Sequence, residues 1–174
     1  MKRLSWKYIA GFIDGEGCID LTVTHGKYIQ PRVRITQAAI GKDVLDVLST
    51  NHGGKVYLRK SQNANWQDAY SWELTGYSPV CMLLRNVANH MIVKKEQARL
   101  VLWMERNVKG KVLAPEARDT ALNELKAMKR DPHRLSERAQ EALSLVMRQS
   151  DGSLAVGNVA GRSNCQVQEE SCSS

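Results

Sequence analysis

A short stretch near the start of the chain combines small and apolar residues with an acidic end, and reads Ile9-Ala10-Gly11-Phe12-Ile13-Asp14-Gly15-Glu16-Gly17. Its apolar residues recur at helical spacing, and Ser5 is a favourable N-cap residue. The pattern therefore predicts a helix from Trp6 to about Asp14. Gly15 and Gly17 are expected to end that helix.

Two carboxylates, Asp14 and Glu16, fall at the C-terminal end of this predicted helix. The helix dipole disfavours anions there by about 0.3–1 kcal/mol each, which indicates that a cation belongs nearby. Ala10 and Gly11 would let another helix approach closely. If that helix came from a second copy of the chain, two Glu16 side chains would meet and would need a divalent cation between them. On these residues alone, a glycine-capped helix with incidental acids is the simpler interpretation.

The rest of the chain alternates between strand-like and helical patterns. Two strands, Cys18–His25 and Tyr28–Gln37, are joined near Gly26. After them we expect helix Lys42–His52, strand Lys55–Lys60, a loop at Ser61–Gln67, strand Ala69–Thr75, and helices at Tyr77–His90, Lys94–Val108, Pro115–Lys129 and Leu135–Arg148. This order predicts an α+β fold with an αββαββα core, in which helices cover one face of a curved, antiparallel four-stranded sheet.

Composition narrows the class of protein. The 25 Lys and Arg residues exceed the 18 Asp and Glu residues, which suits a polyanionic partner, either nucleic acid or an anionic membrane surface. The four cysteines show no zinc-binding spacing, and neither a signal peptide nor a membrane-spanning apolar run is expected. We therefore predict an intracellular protein in a reducing compartment, with no membrane partner. Residues 1–150 are predicted to form one domain and residues 151–174 a flexible tail, since the tail is rich in small and polar residues.

The open face of the predicted sheet carries cations and hydrogen-bonding groups on several strands. Strand alternation places on it Arg32, Arg34, Lys55, Tyr57 and Arg59. A solvated surface would explain any one of these strands. Three strands that present such groups on the same side favour a nucleic-acid interface, because an antiparallel ribbon can lie in the major groove.

The stretch from Ile9 to Gly17 resembles the LAGLIDADG motif of the homing endonucleases, with Phe12, Gly15 and Glu16 as variants. The resemblance implies that Glu16 and the carbonyl of Gly15 bind catalytic Mg²⁺, and that Asp14 is a structural residue of the helix end. Residues 35–37 are similar to the family's strand-terminal Gln, so Gln37 is expected to position water. Residues 93–98 are similar to its K-x-x-Q-A helix opening, so Lys94 is expected to stabilise charge on the phosphate. Related enzymes carry a basic residue a few positions after this Gln, and in this chain Lys42 is the only candidate for it.

A single copy of the motif implies a homodimer and a near-palindromic double-stranded DNA target that is cut in support of intron or intein mobility. The expected dimer interface consists of Ile9, Ala10, Gly11, Phe12 and Ile13. The expected DNA contacts are Asp20, Thr22, Thr24, Tyr28, Gln30, Arg32, Arg34, Lys55, Tyr57, Arg59, Ser71 and Glu73, with the two arginines of the second strand as guanine readers. The alternatives on the same fold are an intron RNA maturase and a regulator that binds DNA without cutting it. An unrelated structural or dimerising protein with an incidental basic face is a further alternative.

Overall fold

The computed structural model describes residues 3–61, 67–131 and 133–157, and its elements follow the predicted order. The helices are α1 (Trp6–Glu16), α2 (Lys42–His52), α3 (Tyr77–Val87), α4 (Lys95–Asn107), α5 (Pro115–Arg130) and α6 (Ser136–Gly157). The strands are β1 (Gly17–Thr24), β2 (Tyr28–Ala38), β3 (Lys55–Arg59) and β4 (Ala69–Thr75). Short 3-10 turns follow β2 and α3, at Ala39–Gly41 and Ala88–His90. The predicted α+β class and αββαββα core are confirmed.

The four strands form one antiparallel sheet in the order β1-β2-β4-β3. The β1–β2 hairpin turns through His25 and Gly26, which both have positive φ angles, of 51° and 65°. The N–H of Lys27 donates to the carbonyl of Thr24 at 3.1 Å and closes this turn. Glycine adopts a positive φ without steric cost, which explains why the hairpin turns at Gly26.

Helix α1 begins as the sequence predicts and ends later than expected. The Ser5 hydroxyl accepts the N–H of Tyr8 at 3.2 Å, which is an N-cap bond. The helix continues through Gly15 to Glu16, because Gly17 is the residue that caps it. A Cβ atom at Gly17 would lie only 2.7 Å from the carbonyl oxygen of Ile13, so the backbone packs there as only glycine allows.

The core lies between the sheet and the helices that cover one of its faces. Val33, Ile35 and Trp72 point from the sheet into this core, and all three are fully buried. Burying each such side chain stabilises the fold by about 1.5–3 kcal/mol. The indole N–H of Trp72 is not left unpaired, because it donates to the carbonyl of Gly53 at 2.9 Å.

The C-terminal helix extends beyond the predicted domain boundary. Helix α6 continues to Gly157, into the segment predicted to be a flexible tail. Residues 158–174 of that segment, residues 62–66 of the predicted loop, and Pro132 lie outside the described residues. None of the helices described is long and apolar enough to cross a membrane.

Candidate active site and nucleic-acid interface

Asp14 ties the end of α1 to the segment that precedes α4. Its carboxylate accepts the backbone N–H groups of Ile92 at 2.6 Å, Val93 at 3.3 Å and Lys94 at 2.9 Å. In return, the Lys94 ammonium donates to the backbone carbonyl of Asp14. These bonds give Asp14 the structural role that was expected of it, and they bring Lys94 to the helix end that carries Glu16.

Glu16 is the last residue of α1, and its side chain is exposed. Within the part of the chain that the structure describes, its carboxylate takes part in no hydrogen bond or ion pair. Two carboxylates at a helix end predict a cation nearby. The Lys94 ammonium is one such cation, and it donates to the backbone carbonyl of Asp14. A free carboxylate beside the final carbonyl groups of a helix is an oxygen donor set of the kind that Mg²⁺ prefers. Glu16 and the Gly15 carbonyl therefore fit a magnesium ion.

The described residues contain no group of three or more His, Cys, Asp or Glu side chains that could hold a metal.

Gln37 lies at the end of the sheet where β1 begins, directly after the last residue of α1. Gly17 pairs with Ile35 across the β1–β2 ladder, so Gln37 stands two residues beyond that pair. Its side chain packs against the 3-10 turn, since a Cβ atom at Gly41 would lie 2.8 Å from the Cβ of Gln37. Lys42, the one candidate for a further basic residue, forms an ion pair with Asp46.

The five residues expected at the dimer interface divide between two sides of α1. Ile9, Ala10 and Ile13 are fully buried within the chain, so they have no exposed surface to offer a second copy. These three residues form the side of α1 that packs into the core of the same chain. Gly11 is exposed with open space around it, and Phe12 is half-buried beside the Tyr8 ring. The outer side of α1 therefore retains Gly11 and Phe12 from the predicted set.

The residues expected to contact DNA lie on the sheet face opposite the core. Strand register brings them into rows across the sheet, and one row crosses all four strands at Cys18, Arg34, Glu73 and Lys55. The residues of this face from the predicted set are Asp20, Thr22, Thr24, Tyr28, Gln30, Arg32, Arg34, Lys55, Tyr57, Arg59, Ser71 and Glu73. Cys18, Thr36 and Thr75 lie on the same face and are not in the predicted set. Continuing the strand alternation by one step from each neighbouring predicted residue would have found them.

Ser71 differs from the other residues of this face because it is fully buried. Its hydroxyl accepts a hydrogen bond from the Thr36 hydroxyl at 3.2 Å, so its contact is made within the sheet. Thr36, its neighbour on β2, is exposed and reaches the surface in its place.

Two carboxylates organise the cations of this face. Glu73 pairs with Arg59 at 2.6 Å and with Arg32 at 3.6 Å. Asp20 pairs with Lys129, with Arg32 at 3.4 Å and with Arg34 at 3.7 Å. Burial alone would raise the pKa of Asp20, but the hydrogen bonds from Lys129 and Cys18 and the nearby positive charges outweigh burial and hold that pKa below its ordinary value. The carboxylate is therefore ionised at neutral pH.

The family model for LAGLIDADG endonucleases matches residues 9–105, which is more than half of the chain. The chain therefore belongs to the LAGLIDADG endonuclease family. Comparison with curated proteins gave no match.

Solved homing endonuclease structures share the fold. I-TnaI is 21% identical, with 83% of this chain and 99% of that chain covered at a TM-score of 0.50. I-CvuI, solved with a DNA target and 2 mM Mg in a complex with the DNA not cleaved, is 18% identical, with coverages of 81% and 93% and a TM-score of 0.53. I-LtrWI, solved bound to target DNA, is 22% identical at a TM-score of 0.55. In that case 74% of this chain corresponds to 45% of the longer protein.

Proposed function

We propose that this protein is a site-specific, Mg²⁺-dependent endonuclease that cuts double-stranded DNA at a long, near-palindromic target. The observation that carries the proposal is the hydrogen bond from the Lys94 ammonium to the Asp14 carbonyl. Asp14 is two residues before Glu16, whose carboxylate is exposed at the same helix end. A cation and an unengaged carboxylate at one helix end suit metal-dependent phosphodiester hydrolysis, because the carboxylate can bind the metal and the cation can stabilise charge on the phosphate.

Each residue of the site has a distinct part in the proposed reaction. Glu16 and the Gly15 carbonyl hold Mg²⁺, which supplies Lewis-acid activation of the phosphate when it is bound. Lys94 stabilises the charge that develops on the phosphate oxygens, and its own contact with α1 keeps its ammonium at that place. Gln37 orients the attacking water through its side-chain amide, from the end of β2.

The proposed enzyme is a homodimer whose two α1 helices pack across a two-fold axis. The proposal is supported by exposed apolar groups in the first turn of that helix and near its C-terminal end. Tyr8 is 47% exposed on α1, and Ile92 and Val93, which hydrogen-bond to Asp14 through their backbones, are 88% and 50% exposed. An open surface at Gly11 between such groups would let a second helix approach closely. Dimerisation would bring two Glu16 carboxylates into one centre.

The proposed DNA contacts are the polar residues of the open sheet face. Lys55, Tyr57 and Arg59 are exposed on the edge strand β3, and Arg34 faces the same way from β2. Arginine can bond guanine O6 and N7 together, which makes Arg34 a candidate base reader. By family membership, the proposed biological setting is the mobility of an intron or intein, in which the cut allele lacks the element.

The test is cleavage of genomic DNA from intron-free relatives in the presence of Mg²⁺, followed by sequencing of the broken ends. The wild-type protein is compared with Glu16→Gln and with Glu116→Gln, which makes the same chemical change on the exposed surface of α5. We expect breaks at one near-palindromic site with wild type and with Glu116→Gln, and none with Glu16→Gln.

Two other results would contradict the proposal. Equal cutting by the wild type and Glu16→Gln would remove Glu16 from the metal site. Selective retention of one DNA sequence or of intron RNA without any cutting would identify a regulator or a maturase instead of an endonuclease.

A further inference from the structure

Lys129 reaches the open sheet face from a helix that lies outside the segment matched by the family model. It belongs to α5, whereas the match ends at residue 105. Its ammonium donates to Asp20 Oδ1 and lies 3.2 Å from the sulfur of Cys18, both on the edge strand β1. The Lys129 side chain is 32% exposed and Asp20 is 17% exposed, so this contact forms at the boundary between solvent and protein.

The two oxygens of Asp20 serve different partners. Oδ1 accepts from Lys129 and from the Cys18 thiol, the latter at 3.2 Å. Oδ2 faces Arg32 at 3.4 Å and Arg34 at 3.7 Å. Lys129 therefore neutralises a carboxylate that would otherwise be balanced by the two arginines of β2 alone.

The two arginines are held to different degrees. Arg32 lies between the carboxylates of Asp20 and Glu73, and its side chain is 25% exposed. Among the residues that the structure describes, Arg34 pairs with Asp20 alone, at the longer distance, and its side chain is 38% exposed. Arg32 is held on the sheet by two carboxylates. Breaking the contact between Arg34 and Asp20 costs little free energy, provided that another cation stays beside the carboxylate.

We propose that Lys129 is a specificity-determining positioning residue, which balances the charge of Asp20 and so frees Arg34 to read a guanine in the target. This inference rests on the proposed DNA function and adds to it a residue that the family motif does not contain. Without Lys129, Arg32 and Arg34 alone would balance the Asp20 carboxylate, so Arg34 would be held to the sheet more strongly. Lys129 therefore acts through Asp20 and Arg34, with no base contact of its own.

The experiment is binding-site selection from a randomised duplex DNA library, with sequencing of the bound fraction. Lys129→Gln is compared with Lys126→Gln, which removes the same charge from an exposed position of the same helix. We expect Lys129→Gln to lower the preference for guanine at one position in each half-site by about fivefold or more. Lys126→Gln is expected to leave that preference unchanged.

Two further variants test whether Lys129 acts through the carboxylate. Lys129→Arg keeps the charge and should keep the wild-type preference. Asp20→Asn removes the group that Lys129 balances, so the guanine preference should be the same in Asp20→Asn with and without Lys129→Gln. A structural role for Lys129 would change affinity in both backgrounds and would leave the base preference as it is in the wild type.

The outcomes separate this inference from the function on which it rests. A wild-type protein that selects no sequence at all would overturn the proposed function, and this inference with it. A selective wild type, with matching base preferences for Lys129→Gln and Lys126→Gln, would overturn the inference alone and would make Lys129 an ordinary surface cation.

Discussion

Asp14 accepts three backbone N–H groups, whereas Glu16, two residues later, accepts none within the described part of the chain. Both carboxylates stand at a helix end whose dipole opposes negative charge. Asp14 offsets that cost by joining two distant segments of the chain. Glu16 makes no such contact within the described residues, which fits the role in metal binding proposed for it.

This contrast predicts that substitutions of Asp14 lower the stability of the fold, whereas a substitution of Glu16 does not. Asp14→Ala should lower the free energy of unfolding by about 1.5–3 kcal/mol, because three backbone donors lose a charged acceptor. Asp14→Asn should lower it less, since the amide oxygen still accepts. Glu16→Gln should leave the unfolding free energy within about 0.5 kcal/mol of the wild-type value. Urea denaturation of the three variants measures this, and a large loss with Glu16→Gln would show that its carboxylate has a structural partner.

The sequence could assign these roles only in part. The motif indicates that Asp14 is the structural carboxylate. The backbone N–H groups that donate to Asp14 belong to residues 92–94, about eighty positions away along the chain. No local pattern predicts such a pairing. Apolar spacing was likewise ambiguous on α1, where it described the core face at Ile9 and Ile13 and was assigned to the interface.

Helix α1 has one face in the core and one face open, and Gly11 lies on the open face. Gly11→Ala meets nothing within 4 Å, so it should stabilise the isolated subunit by up to about 1 kcal/mol through helix propensity. The same methyl group would keep a second α1 from close approach. We therefore expect Gly11→Ala to weaken dimerisation and Gly11→Leu to abolish it, with loss of cutting.

Sedimentation over a range of protein concentrations measures this, with Asn123→Leu on the exposed side of α5 as the control for added apolar bulk. Unchanged dimerisation of Gly11→Leu would exclude α1 from the interface.

Glu96 joins α4 to the start of α6, since its carboxylate accepts the N–H of Ser136 at 3.1 Å and pairs with Arg99 at 2.7 Å. Burial acts to raise the pKa of Glu96, but the Ser136 bonds and the Arg99 charge outweigh it and hold that pKa below the ordinary 4.5. The unfolded chain then binds this proton more readily than the folded one. The stabilisation is therefore present above about pH 4.5 and is lost as the pH falls through the folded pKa.

Glu96→Gln should accordingly narrow the difference in unfolding free energy between pH 7 and pH 3.5. Glu141→Gln, on the exposed surface of α6, should leave that difference as it is in the wild type. If both variants narrowed this difference equally, the pH dependence of stability would not come from Glu96.

Element boundaries were predicted best where glycines stand beside an element. The predicted bounds of α2 and β4 agree with the structure, because glycines stand beside each element: Gly41 and Gly53-Gly54 around the helix, and Gly76 after the strand. Helix α6 was predicted to end near Arg148, yet it continues through Gly152 to Gly157. Composition alone suggested a tail there, and a glycine within a helix is a weak signal for its end.

Across the whole molecule, one sheet face open to solvent carries more cations than carboxylates, with Arg32, Arg34, Lys55 and Arg59 beside Asp20 and Glu73. DNA affinity should fall steeply with salt, because each phosphate contact releases condensed counterions. Lys55→Gln, on the edge strand, should reduce the slope of log K against log salt by about 0.9 for each subunit bound. Lys109→Gln, after the end of α4, should not change that slope. Affinity that is insensitive to salt would show that this face does not bind a polyanion.

The arrangement of the whole chain was predictable from the alternation of strands and helices, but the couplings between distant elements were not. Lys129 and Asp20 are 109 positions apart, and their contact depends on how α5 lies against β1. Secondary structure specifies neither that angle nor the reach of a lysine. For the same reason the sequence indicates the basic face and does not show which of its arginines is paired most loosely.

Gly17 stands where a Cβ atom would collide with the backbone of Ile13, so the final glycine of the motif is required by packing alone. Asp14 is likewise required by the bonds that it accepts. If the proposed cutting activity were lost in a lineage, natural selection on folding would preserve both residues, while Glu16 would be free to change. A descendant could then retain the fold and most of the motif without the activity. The letter at position 16 is the one in the motif that would record the difference.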